Sequence, residues 1–184
     1  MGILADSLDK ADAAHFTRPL PKSAQKQMEY LVKQTKGTQA AADLLGVTQR
    51  TVERYLTGQF KQPRRDLAER LTGEVHKRWQ PRVRERARKQ AATTGGIVID
   101  TRARFGFTAA PGTTDDPRPR PITQGLPLAY AARLFDAHTA GAAEQQLQDI
   151  VAEGLQEIYF KDRGRRAHGL LVDLTDIDYL DVDY

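Results

Sequence analysis

The apolar rhythm of this chain first changes near Gly96, and that change constrains the fold more than any other feature. Before it, apolar residues recur every three to four positions, as on a helix face. After it, Ile97, Ile99, Ala103, Phe105 and Phe107 alternate with Val98, Asp100, Arg102, Arg104 and Gly106, the two-residue period of a half-buried strand. A chain with both rhythms in separate blocks is expected to be α+β. The reading is an N-terminal helical bundle containing a helix-turn-helix over 1–90, a linker over 91–96, and a smaller mixed domain over 97–184 with a short β-sheet and two helices. Its 184 residues suffice to bury a core without staples.

In the first block Ser23 can cap a helix carrying Met28, Leu31 and Val32, with Gly37 ending it. Thr38 can cap the next, which runs through Ala40, Ala41, Asp43 and Leu44 to a turn at Gly46, and Thr48 can cap a third running to Leu56. Pro63 starts a fourth, with Leu67, Leu71, Val75 and Trp79 on one face. Two helices that cross near a right angle need a small residue at the contact, a glycine in the turn and apolar anchors. Ala42, Gly46 and the set Ala41, Leu45, Val47, Val52 and Tyr55 meet those needs. With the anchors removed, Gln49, Arg50, Thr51, Glu53 and Arg54 are left for base edges or phosphates. Lys61, Arg64 and Arg65 extend the cationic flank, and the bland alternative is a helical hairpin with a solvated face.

Charge separates the same two blocks. Residues 1–104 carry 21 Lys and Arg against 11 Asp and Glu, while 105–184 carry 7 against 13, so the halves are near +10 and −6. The first can neutralise phosphates and the second would repel them. Pro81–Gln90 is too charged for core and reads either as a solvated face or as a phosphate contact, and Ala91–Gly96 reads as a flexible joint. The chain has no cysteine, which excludes thiolate chemistry and disulfides. Neither a secretory leader nor a long apolar span is evident, which suggests a cytoplasmic protein with no membrane partner. The four histidines are scattered, and no metal or cofactor site is expected.

In the second block, Ala110–Pro121 contains Pro111, Pro117, Pro119 and Pro121, and is expected to be an exposed loop without a regular element. It holds Thr113, Thr114, Asp115 and Asp116. By chemistry alone this is an Asx-type turn or a functional site, since a threonine hydroxyl is a weak nucleophile until a base or a metal activates it. Helical patterning returns at Tyr130, Leu134 and Phe135 and again at Leu147, Ile150, Val151 and Leu155. Alternation then resumes from Gly169 to Tyr184, so one or two further strands should join the sheet.

Thr17–Gln25, Gln49–Tyr55, Arg78–Pro81, Thr101–Asp116 and Ile158–Asp162 together resemble the telomere terminal proteins of linear actinobacterial chromosomes and plasmids. The resemblance spans nearly the whole chain. It implies a protein primer that binds telomeric DNA, becomes covalently linked to 5′ ends and primes end patching, acting as the acceptor substrate of a DNA polymerase and not as an enzyme. It further implies that Thr114 is the nucleotide-accepting residue, with Thr113 as the adjacent alternative and Asp115 and Asp116 either in support or in an ordinary turn. The polymerase would supply Mg ions; a telomere-associated overhang-binding protein would be a further partner, and the setting would be the nucleoid. Self-association stays open. The competing readings are a transcription regulator with a C-terminal dimerisation or ligand domain, and a nuclease using Asp173, Asp176, Asp178, Asp181 and Asp183. Alternating carboxylates on an edge strand also serve to block aggregation.

Overall fold

The structure is a computed structural model describing residues 2–109, 112–115, 118–165 and 167–184; at 108, 109 and 112–115 it describes the backbone. The fold is α+β. In chain order the described elements are α1 (Ile3–Ala14), α2 (Ala24–Thr35), α3 (Thr38–Leu45), α4 (Gln49–Leu56), α5 (Arg65–Arg78), α6 (Pro81–Gln90), β1 (Ile97–Ala109), β2 (Gly112–Asp115), β3 (Arg120–Leu126), α7 (Leu128–Thr139), α8 (Glu144–Leu155) and β4 (Leu171–Asp183). They fall into two compact units: Phe16–Arg82, and Met1–His15 together with Val83–Tyr184.

The unit 16–82 is helical. The Ser23 hydroxyl accepts the Lys26 amide at 3.3 Å and starts α2, as its position in the sequence suggests. The helix ends one residue earlier than expected, because Lys36 and not Gly37 takes the left-handed conformation (φ 61°), while Gly37 is extended. Thr38 is likewise inside α3 and caps nothing; its hydroxyl accepts from Gln49 instead. α5 begins at Arg65, two residues beyond Pro63, with Arg64 extended before it. Met28 and Leu31 of α2, Ala41, Ala42 and Leu45 of α3, Val52 and Tyr55 of α4, and Leu67, Leu71 and Val75 of α5 form its core. The Trp79 ring meets Tyr30 edge-on at 4.8 Å, and its indole N–H donates to the Arg18 carbonyl.

The other unit is a four-stranded antiparallel sheet covered on one face. β1 is central. β4 runs along one edge of it, from Val98 opposite Asp183 to Thr108 opposite Leu171, with register shifts at Arg102/Ala103 and Arg104/Phe105. The other edge is shared end to end by β3, opposite Ile97–Ala103, and by β2, opposite Gly106–Ala109. Ile97, Ile99, Ala103 and Phe105 are buried against Leu4 and Leu8 of α1, Leu134 of α7 and Val151 and Leu155 of α8. At Gly154 of α8 a Cβ would stand 2.8 Å from a Leu126 methyl, so any larger residue there would oblige the Leu126 side chain to shift. The outer face carries charge: Arg102 pairs with Asp178 at 3.2 Å, Arg104 with Asp176 at 3.8 Å and Lys10 with Asp181 at 2.8 Å.

The proline-rich stretch does hold regular structure, since Gly112–Asp115 is β2 and β3 begins at Arg120. Pro121 is accommodated because β3 is an edge strand, where a missing amide donor need not break the ladder. Ala91–Gly95 is not a flexible joint but a π-helical turn continuing α6, with Ala91 buried and the Gly96 amide donating to its carbonyl at 2.7 Å. The breaks between units fall at His15/Phe16 and Arg82/Val83 instead. Finally, the charged run enters a core: Arg88 is buried, and its guanidinium makes two bonds, of 2.9 and 2.6 Å, to the fully buried Asp12 of α1.

Candidate nucleic-acid interface and acceptor strand

The α3–α4 pair is built by short-range rules. α3 ends at Gly46, which takes φ 63° and donates its amide to the Asp43 carbonyl, while the Val47 amide reaches the Ala42 carbonyl at 3.0 Å. A left-handed residue costs a Cβ-bearing side chain about 1–2 kcal/mol, which accounts for glycine at this turn. Two residues on, Thr48 is extended and its hydroxyl accepts the Thr51 amide at 3.3 Å, starting α4. Ala42, Leu45 and Val52 are completely buried, so the two helices meet on an apolar seam and leave the opposite side of α4 to solvent.

On that side Gln49, Arg50 and Glu53 are exposed and Arg54 is half-buried. The Gln49 amide donates to the Thr38 hydroxyl and to the Glu53 carboxylate, both at 3.0 Å, which holds its side chain across the first turn. Thr51 is half-buried, and its hydroxyl lies 2.9 Å from that of Thr48, so it serves the cap before it can serve a ligand. Lys61, Arg64 and Arg65 are exposed, and Arg65 is engaged by Glu69 at 2.9 Å. Of the residues singled out by sequence, Thr51 and Arg64 line one groove, while Arg50 and Lys61 are exposed cations.

Next to α4 lies a groove of about 560 Å³, lined by Val47, Thr51, Tyr55, Phe60, Gln62, Arg64, Asp66, Leu67 and Arg70. The Tyr55 and Phe60 rings meet edge to face at 5.5 Å. Burial pushes the Tyr55 hydroxyl up from its ordinary value and the nearby Arg64 charge partly offsets this, so the phenol is neutral at physiological pH. Phe60, Gln62 and Arg70 escaped the sequence reading. The available signal was an aromatic residue immediately before a basic run, outside any apolar period.

The threonines lie in the other unit. Cα register places Thr114 opposite Phe107, Thr113 opposite Thr108, Gly112 opposite Ala109 and Asp115 opposite Gly106. Thr113, Thr114 and Asp115 are thus on a short edge strand and not in an irregular loop. Asp116 lies outside the described residues. The aspartates of β4 are distributed along the strand, three of them ion-paired as described above. Among the described residues no group of three His, Asp or Glu could hold a metal ion, and no helix is long and apolar enough to cross a membrane. No protein-family model, curated protein or solved structure matches the chain.

Proposed function

We propose that this chain is a telomere terminal protein: a DNA-binding protein primer that is covalently linked through Thr114 to the 5′ ends of linear replicons. The geometry that carries the DNA-binding half is the α3–α4 pair, a glycine turn followed by a capped helix with Gln49 and Arg50 exposed on it. That arrangement is the one by which a second helix enters the major groove, first turn foremost. The cationic flank at Lys61 and Arg64 suits phosphate contacts. The priming half rests on the resemblance of Thr101–Asp116 to the family's acceptor block. It is supported by the position of Thr113 and Thr114 on an edge strand of the sheet.

In this reading the Thr114 hydroxyl oxygen attacks the α-phosphorus of an incoming deoxynucleotide inside a polymerase. A phosphodiester forms, pyrophosphate leaves, the hydroxyl proton passes to a base or solvent in the polymerase site, and the nucleotide's 3′-hydroxyl becomes the primer end. Two divalent ions of the polymerase activate the attacking oxygen and stabilise the departing charge. This chain contributes the alcohol and the DNA-reading surface, and an overhang-binding protein presents the template.

The reading is tested by mass spectrometry of the peptide that begins at Phe105, taken from end-linked DNA after nuclease digestion. A nucleotide-sized addition on Thr114 is expected; an unmodified peptide overturns priming and favours a transcription regulator. For DNA binding, Arg50→Ala is expected to weaken duplex affinity by about 1–3 kcal/mol and to relax base preference. Lys61→Ala is expected to weaken all duplexes alike and lower the salt dependence by roughly one counterion. Fluorescence anisotropy across a salt series measures both.

A further inference from the structure

We infer that the groove beside α4 binds an unpaired DNA base, with Phe60 as its stacking platform. The inference rests on the DNA-binding reading above and adds a single-strand site to the duplex-reading helix. Among the described residues of the unit 16–82, Phe60 is the one large apolar side chain left exposed, at 39%. It is not loose: its amide donates to the Arg54 carbonyl at 3.3 Å, tying it to the end of α4, and the Tyr55 ring braces it. The Arg54 guanidinium sits 5.3 Å from the ring centroid but does not line the groove. A flat ring with a cation on it and space beside it is how proteins hold a base whose π-face is unpaired.

Charge and size select the occupant. Arg64 and Arg70 line the groove and Lys61 is exposed next to Phe60, against Asp66 as the one carboxylate in the lining. This balance favours a backbone phosphate over an acidic or purely apolar peptide. Gln62 and Asp66 offer both donors and acceptors to a base edge. The volume of about 560 Å³ lies within the range of small-ligand sites and accommodates one nucleotide.

The test uses the full chain with two labelled probes, a blunt duplex and the same duplex bearing a short overhang with one 2-aminopurine. Wild type is expected to bind the overhang probe about tenfold tighter and to quench the 2-aminopurine by stacking. Phe60→Leu, which keeps apolar bulk but removes the π-face, is expected to lose both the preference and the quench while retaining blunt-duplex affinity; Phe60→Trp is expected to keep all three. If the blunt duplex binds but the overhang adds nothing, or if Phe60→Leu retains the preference, the groove assignment is overturned and duplex reading stands. If neither probe binds at low salt, the DNA-binding reading fails and the groove assignment falls with it.

Discussion

Thr114→Val is expected to abolish covalent nucleotide attachment when the protein is incubated with polymerase, template and labelled deoxynucleotide and then denatured. The loss should be complete, because the deleted atom is the one that forms the bond. Valine keeps the β-branched shape of threonine, which favours a strand, so the pairing of Thr114 with Phe107 should persist and the result should report on the hydroxyl alone. Thr114→Ser restores an alcohol and should restore label, and Thr113→Val should leave most of it. Label lost in Thr113→Val and kept in Thr114→Val would move the acceptor by one residue. Label kept when both are valine would end the priming account. Duplex binding should be unchanged in all of these, since the α3–α4 pair lies in the other unit.

Asp12→Ala is expected to destabilise the mixed unit by about 3–5 kcal/mol, the cost of leaving buried charge uncompensated. Asp12 is fully buried and accepts two bonds from Arg88; Arg84 stands 3.1 Å away, and the Tyr184 hydroxyl donates to the same carboxylate. Burial works against the Arg88 charge, but the Asp12 carboxylate more than offsets it and raises its pKa. The Tyr184 hydroxyl is pushed up by burial and by Asp12, so it remains a donor. Arg88 also donates to the Thr139 hydroxyl at 3.0 Å and lies 3.0 Å from His138 Nδ1, whose pKa burial and Arg88 both lower, so the neutral ring accepts. Removing Asp12 therefore takes the carboxylate from the buried Arg88 and from Arg84 beside it. Replacing the pair together, Asp12→Leu with Arg88→Met, should cost less than the two single changes summed, because neither charge is then orphaned. Urea titration followed by circular dichroism measures the difference; additive losses would show that the pair is not coupled.

Much of the helical unit was legible because its signals are local. Ser23 and Thr48 hold the amide three residues on, Gly46 takes the left-handed turn, and the Leu67, Leu71 and Val75 spacing is the buried face of α5. The alternation of β1 was legible for the same reason, as was the joining of the Gly169–Tyr184 tail to it. What escaped depends on partners distant in sequence. α1 has few local signals, and its burial is decided by β4 and α8: the Val182 amide donates to Ser7 Oγ at 2.7 Å and the Leu4 amide to Glu144 at 2.7 Å. Arg88 looked like surface because its counter-ion is 76 residues away. β2 and β3 were hidden by prolines, whose veto applies to a central strand and not to an edge. The groove was hidden because Phe60, Gln62 and Arg70 share no period and meet through a bend.

The mixed unit is made from the first fifteen residues and the last hundred or so, with the helical unit inserted between them. This sets an order of events on the ribosome. Residues 16–82 contain their core and can complete it as soon as they clear the exit tunnel, whereas α1, though it precedes them in the chain, has its Ser7 and Asp12 partners in Val182 and Tyr184. At about 5–20 residues per second that wait is roughly eight to thirty-four seconds. The helical unit would therefore be complete while the sheet is still being synthesised, and under the proposed function a nascent chain tethered to its message would engage DNA before it could prime.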